Sequence, residues 1–240
     1  MRPQWPAPAA VRALSTTRLG GASRGPYAAF NLAGHVGDDP RAVAANRGLL
    51  MQQLGLPAEP SWLQQVHGRA VVPAWPNGAT TEADASFGVG PGAVCAVLTA
   101  DCLPVLLCDR DGTRVAAAHA GWRGLAAGVL EAAVDALQVP GSRLMAWLGP
   151  AIGPRAFEVG DEVRAVFLAH DAAAASAFQP SPAGRWLADL YVLARQRLAE
   201  RGVTDVHGGG LCTFSDGRRF YSYRRDGTTG RMATLIWLAR

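Results

Sequence analysis

Lysine is missing from this chain. All 23 basic residues among its 240 are arginine. Losing one of the two basic residue types altogether is the mark of a codon bias, so arginine abundance by itself carries no nucleic-acid signal. Long blocks of like charge are absent too, and the arginines are scattered, which excludes the basic stripe of a nucleic-acid binder. The four cysteines, Cys95, Cys102, Cys108 and Cys212, include no C-x-x-C pair. Three of them lie on apolar, strand-like runs, which fits reduced thiols in a cytosolic protein better than a disulfide framework. No apolar run approaches the roughly 18 residues that a membrane span needs. The N-terminal stretch M-R-P-Q-W-P-A-P-A-A is broken by proline and has no apolar core, so no signal peptide is expected there. The cytoplasm is the expected address.

What is present reads as one compact domain. A hydrophobic share of 49% with only 18% charged residues is far from a disordered composition. The length allows a sizeable core in one large domain or two small ones. No internal repeat appears, and no linker divides the chain, so a single domain over residues 1–240 is expected.

The chemistry is concentrated in His67, Cys102 and His119. They lie in W-L-Q-Q-V-H-G, L-T-A-D-C-L-P-V-L-L-C-D and A-A-A-H-A-G-W-R-G. Asp111-Gly112 falls between the last two runs, and Asp-Gly between apolar runs is the strongest short hairpin signal, through a type I′ turn. If that turn closes the hairpin, Arg110 faces Thr113, Leu103 faces Ala120 and Pro104 faces His119. Period-two alternation then places Cys102, Pro104 and His119 on one face. Cys102 and His119 become diagonal neighbours, about 7–8 Å apart at the backbone. One zinc ion can bridge that gap, and a thiolate with two imidazoles leaves a fourth position open, the catalytic form of the metal. Singly, each residue has a plainer reading, as a satisfied histidine or a buried core thiol.

Two rival chemistries fit the same residues. Cys102 can be a thiolate nucleophile with His119 as base, in a cysteine hydrolase or deamidase. Two histidines and a cysteine can also form a copper centre, which usually adds an axial methionine. Met51 and Met145 are the nearest in sequence, neither at a convincing spacing, and five histidines are too few for a multicopper oxidase.

The remaining pattern points to a mixed sheet, α/β or α+β. Asp39-Pro40 starts a helix that Gly55 stops. Further helices fit 124–138, 161–170 and 189–201. Strand-like runs fall near 61–66, 69–74, 93–99, 104–109, 114–119, 143–148, 203–207 and 231–238. The stretch 171–184, rich in Ala, Pro and Ser, reads as a surface insertion. Asp101 is expected to face away from Cys102, and Cys95 and Cys108 to be core. G-W-R-G at 121–124 can admit an anion to a helix start beside Arg123. L-G-P-A-I-G-P at 148–154 is a rigid turn. F-Y-S-Y-R-R-D-G-T-T-G-R at 220–231 combines aromatic faces with Arg224, Arg225 and Arg231, any of which can meet an anion. His35 and His207 have no partner spacing, and His170 at a helix end is expected to meet the C-terminal dipole.

These strings together resemble the laccase-domain proteins, once labelled multicopper polyphenol oxidases and now regarded as purine nucleoside phosphorylases. The resemblance is carried by G-P-Y-A-A-F-N-L-A-G-H-V-G-D-D, A-A-N-R, Q-Q-V-H-G, E-A-D-A, L-T-A-D-C-L-P-V-L-L, A-H-A-G-W-R-G, L-G-P-A-I-G-P, F-E-V-G and the 220–231 string. It departs after Asp84-Ala85, where Ser86-Phe87-Gly88 replaces a more usual aliphatic-Thr run. It implies a four-layer α/β/β/α fold, shared with toxin-type cysteine deamidases, and zinc on His67, Cys102 and His119. It also implies phosphorolysis of adenosine, inosine and methylthioadenosine to base and ribose 1-phosphate, with adenosine deamination as a further activity. The chain lacks the H-x-E…P-C-x-x-C arrangement of zinc nucleobase deaminases, so a shared deamination would be convergent. For phosphorolysis, Arg47 and Arg123 are expected to hold the anion, with Asn46 and Arg224 joining them in substrate binding. The expected partners are therefore nucleosides and phosphate, with no nucleic acid and no membrane, in a monomer or homodimer.

Overall fold

In the computed structural model, residues 1–74 and 81–239 are described. The larger sheet has six strands: β2 (Val71–Pro73), β3 (Ala85–Val89), β5 (Leu103–Asp109), β6 (Arg114–Ala120), β7 (Leu144–Leu148) and β11 (Asp205–Gly208). Their order is β11-β7-β5-β6-β3-β2. A smaller antiparallel sheet sets β12 (Met232–Leu238) between β1 (Val11–Ser15) and β4 (Val94–Thr99). A third, short sheet joins β8 (Glu158–Val159), β9 (Phe178–Pro180) and β10 (Trp186–Ala188).

Alternation of side chains across each strand sorts these sheets into layers. Leu103, Val105 and Leu107 of β5, with Ala116, Ala118 and Ala120 of β6, face helices. Those helices include α2 (Trp122–Ala127), α3 (Val129–Ala136), α4 (Asp161–His170) and α5 (Leu190–Glu200). The opposite positions, Leu106, Cys108, Val115 and Ala117, pack on Cys95 and Val97 of β4 and Ile236 and Leu238 of β12. The outer face of the small sheet, with Ala96, Leu98, Leu235 and Trp237, meets Leu50 of α1 (Pro40–Leu54) together with Phe30, Leu32 and Trp62. The result is helices, sheet, sheet, helix: the expected four-layer mixed α/β arrangement. Each large aliphatic side chain fully buried in these layers contributes about 1.5–3 kcal/mol.

The β5–β6 register is the expected one, Leu103 opposite Ala120 and Pro104 opposite His119. The turn is not. Only Gly112 has a positive φ, 68°, and its N–H donates to the Asp109 carbonyl at 3.2 Å. A longer turn over Asp109–Gly112 therefore replaces the two-residue one. The Asp109 carboxylate fixes it by accepting from the N–H groups of Thr113 (2.7 Å) and Arg114 (2.9 Å) and the Thr113 hydroxyl (2.6 Å).

Helix α1 matches its signals: Asp39 accepts from the Arg41 N–H at 2.9 Å, Pro40 opens it, and Gly55 ends it at φ 56°. The single helix expected over 124–138 is two. It starts at Trp122 and breaks at Gly128, whose φ of 95° no helical residue adopts. The run 61–66 makes only isolated bridges, at Ser61 and Gln64. There the Gln65 side chain does the work of a ladder, donating to the Leu98 carbonyl (2.8 Å) and accepting from its N–H (2.7 Å). Residues 171–184 are not a surface insertion throughout. Ala174, Ala177 and Phe178 are buried in the helix-side core, Phe178 with its ring 6.1 Å from that of Phe167. No helix among the described residues is long and apolar enough to cross a membrane.

Candidate metal centre and cleft

The cleft, about 440 Å³, opens where β4 and β6 end and β5 and β12 begin. Its walls carry His35, Gln65, His67, Asp101, Cys102, His119, Trp122, Arg123, Ile152, Phe157, Tyr223, Arg224 and Arg231. A larger groove of about 980 Å³ beside the N-terminal segment has no histidine, cysteine or carboxylate in its lining.

His67, Cys102 and His119 come together as expected. One ligand atom from each lies within 4.8 Å of the others. The Cys102 Sγ is 3.8 Å from His67 Nε2, and the two imidazoles meet edge to face with centroids 4.8 Å apart. His119 is the penultimate residue of β6 and is buried, while Cys102 immediately precedes β5. His67 sits in a loop at φ 61° and Asp101 at φ 96°, both uncommon for side-chain-bearing residues and both beside the cluster.

One fully buried carboxylate organises two of the three candidate ligands. Asp84 accepts from the backbone N–H groups of Val66 (3.2 Å), His67 (3.0 Å) and Gly68 (2.6 Å). Its Oδ1 also meets His119 Nδ1 at 2.8 Å, so Nδ1 carries the proton and Nε2 is left to coordinate. Burial alone would raise the Asp84 pKa, but the bonds from His119, Gly68 and Val66 hold it below its ordinary value.

The glycines of G-W-R-G serve close approach. A Cβ at Gly121 would stand 2.8 Å from the Cys102 Sγ and 3.0 Å from His67 Cδ2, and one at Gly124 would stand 2.9 Å from the Gly68 carbonyl. The motif lets the start of α2 lie directly against the ligand loop. Cys95 and Cys108 are core, as expected, their thiols pushed up to about 12 chiefly by burial. Cys102 is different: burial would raise it, but His119 and His67 bring it down to about 6. Burial would lower His119, but the Cys102 thiolate and Asp84 raise it to about 9.

This donor set fits a divalent metal of the zinc type. Bond lengths of about 2.3 Å to sulfur and 2.0–2.1 Å to nitrogen place neighbouring ligands roughly 3.5 Å apart, close to the Cys102–His67 separation. A low thiol pKa and a histidine clamped through its distal nitrogen are the states a metal requires. No methionine lines the cleft, so the usual axial sulfur of a blue-copper centre has no source there among the described residues. Glu131, His170 and Glu200 form a second group of metal-ligating types. Arg197 already occupies it, with Nη1 2.7 Å from both Glu131 Oε1 and His170 Nε2.

The expected substrate residues divide. Arg123 and Arg224 line the cleft, Arg123 lying over the Trp122 ring and Arg224 donating to the Glu158 carbonyl at 3.0 Å. Asn46 and Arg47 do not line it. Asn46 is fully buried and donates to the carbonyls of Ala29 (3.2 Å) and Asn31 (2.8 Å) and to the Ser23 hydroxyl (2.9 Å). Arg47 stacks on Trp62 and donates to the Leu32 carbonyl at 3.0 Å. Both side chains of α1 hold the loop that carries His35 into the cleft. Asp101 is a staple: it accepts from the Thr213 hydroxyl (2.6 Å) and the Arg224 N–H (2.7 Å). Ile152 gives the 148–154 turn a place in the wall. Sequence reasoning missed His35, Asp84 and Gln65. Asp84 was visible inside E-A-D-A, but its hydrogen bonds run to residues distant in sequence, and His35 has no spacing that ties it to the others.

Residues 12–239 match the family model described as multi-copper polyphenol oxidoreductase laccase. A purine nucleoside phosphorylase of Pseudomonas aeruginosa is 63% identical over 239 residues, covering 99% of this chain and 98% of that one. The purine nucleoside phosphorylase YfiH of Escherichia coli is 56% identical over 237 residues, covering 98% and 97%. A crystal structure of a Neisseria meningitidis protein superposes with a TM-score of 0.96 at 53% identity, covering 100% of this chain and 99% of that one. With its sheets, its cleft and nearly its whole length matched, the chain belongs to the laccase-like family of the multi-copper polyphenol oxidoreductase description.

Proposed function

We propose that this protein is a zinc-dependent purine nucleoside phosphorylase, converting adenosine, inosine and methylthioadenosine to free base and ribose 1-phosphate, with adenosine deamination as a side activity. The observation that carries the reading is the His67–Cys102–His119 cluster at one wall of a cleft of nucleoside size, lined by several arginines. The names of the relatives point the same way.

His67, Cys102 and His119 would hold the metal, which supplies Lewis-acid chemistry and water activation when bound. The chain's own residues do the rest. Asp84 fixes the His119 tautomer and the His67 loop. Arg123 and Arg224 hold phosphate and substrate oxygens, while Asn46 and Arg47 act from behind, through the 31–35 loop. Tyr223, 63% exposed, offers its face to the purine. Phosphate oxygen then bonds to C1′ as the C1′–N9 bond breaks, and the base leaves with a proton. Four free thiols support a reducing, cytoplasmic setting, and we infer a monomer or homodimer with no nucleic-acid partner.

The test is incubation of metal-loaded protein with each nucleoside, with and without phosphate. Ribose 1-phosphate formed only with phosphate, and lost in His67→Ala, Cys102→Ala and His119→Ala, supports the reading. Bound zinc with no nucleoside turnover ends it.

The placing of the Cys102 sulfur within 4.8 Å of two imidazoles, which draw its pKa down, favours a second reading, a Cys102/His119 hydrolase. Iodoacetamide labelling with parallel zinc measurement separates the two. A stoichiometric metal that protects Cys102 argues against the nucleophile.

A further inference from the structure

Arg231 brings a positive charge into the cleft with no carboxylate to balance it. Its backbone is held on both sides, the N–H donating to Asn31 Oδ1 at 2.9 Å and the carbonyl accepting from Leu32 at 3.3 Å. The side chain is thereby fixed just ahead of β12. Its Nη1 donates to the carbonyls of Thr229 (2.8 Å) and Gly230 (3.0 Å), while Nη2 and Nε make no hydrogen bond among the described residues. No carboxylate of those residues lies within ion-pairing distance. Asp101 attracts it from further off, but both Asp101 oxygens are engaged by Thr213 and the Arg224 backbone. Arg197 makes the contrast: it is more deeply buried, and it has Glu131 at 2.7 Å. Partial burial draws the Arg231 pKa below its ordinary value. A partly desolvated guanidinium with a free donor edge beside a candidate metal centre is placed to receive an anion.

We propose that Arg231 anchors a tetrahedral oxyanion, a phosphate group, held between its guanidinium and the His67–Cys102–His119 cluster. His35 adjoins it. Burial, then Arg231 and Arg47, lower the pKa of that ring, so at neutral pH it adds a neutral hydrogen-bonding group and no further charge. Free phosphate as the occupant rests on the phosphorolysis reading; a phosphate carried on the substrate would present the same oxygens.

The test titrates metal-loaded wild type, Arg231→Met and Arg231→Lys with inorganic phosphate, adenosine 5′-monophosphate and adenosine, by calorimetry. Zinc content and thermal midpoint serve as controls. Loss of a charged, two-pronged contact weakens phosphate binding by about tenfold or more in Arg231→Met. Arg231→Lys keeps the charge and recovers part of it, and adenosine binding changes by less than about threefold. If only adenosine 5′-monophosphate shows this pattern, the anchor stands and its anion arrives on the substrate. Phosphate binding that depends on Arg231 without any ribose 1-phosphate formed keeps the anchor and ends the phosphorylase reading. Ribose 1-phosphate formed with an unchanged KM for phosphate in both variants overturns the anchor and leaves that reading intact. Wild-type affinity for both phosphates in both variants, or no binding of either to the wild type, also overturns it. If Arg231→Met fails to fold, Arg231→Lys decides alone: phosphate KM raised with kcat kept supports the anchor, and an unchanged KM overturns it.

Discussion

Asp84 and Gly121 fix the candidate metal centre from opposite directions, one by attraction and one by absence. Asp84 draws three backbone N–H groups and one imidazole onto a single carboxylate. Asp84→Asn keeps the shape but cannot satisfy all four donors, and partners of this kind typically set metal affinity within about 10–100-fold. Zinc affinity by chelator competition is therefore expected to fall by that order. Gly121→Ala would put a methyl group 2.8 Å from the Cys102 sulfur. It is expected to release the metal with little change in circular dichroism, whereas Trp122→Ala should retain it. The three candidate ligands were legible in sequence because each stands in a distinctive string and the hairpin register links two of them. Asp84 and Arg231 were harder to read, because their importance lies in which charges they meet or fail to meet. Asn46 and Arg47 resemble site residues in the A-A-N-R string yet act through carbonyls behind the wall.

Among the elements, the β5–β6 hairpin has most to do with placing His119. Its turn depends on Asp109, whose pKa burial would raise but whose bonds to Thr113 and Arg114 hold low. A carboxyl with a folded pKa below its unfolded value stabilises above the unfolded pKa, and that stabilisation is lost as pH falls through the folded one. Asp109→Ala is therefore expected to cost about 2–3 kcal/mol at pH 7. The gap to wild type should narrow as pH falls below about 4. Denaturant midpoints at three pH values measure it, and a gap constant with pH would contradict the assignment. Register was readable from Asp111-Gly112 because apolar runs of equal length pair about it, but turn type was not, since a side chain at Asp109 selects it. Helix α1 was readable from its caps. The break at Gly128 was not, because a single glycine inside a helical pattern is usually tolerated. The very short strands β8, β9 and β10 carry too few residues for any period to register.

At the scale of the molecule, small residues line both faces of the central strand β6, Ala117 toward the second sheet and Ala116, Ala118 and Ala120 toward the helices. All four are fully buried, so layers can close on both sides of the strand that bears His119. The mixed α/β class followed from the alternation of helical and strand-like runs. The four-layer stacking came only with the family resemblance, because pairings such as β1 with β12 join the two ends of the chain. The cleft follows from that stacking, lying at the edge where the sheets part and where residues from seven separate segments can converge. Metal content per chain, measured by atomic emission on protein purified without added chelator, tests this account most directly. Close to one zinc per chain in the wild type, and near none in His67→Ala, Cys102→Ala and His119→Ala at unchanged fold, is the predicted result. Full zinc content in the Cys102→Ala protein, or none in the wild type after zinc is supplied, would contradict it.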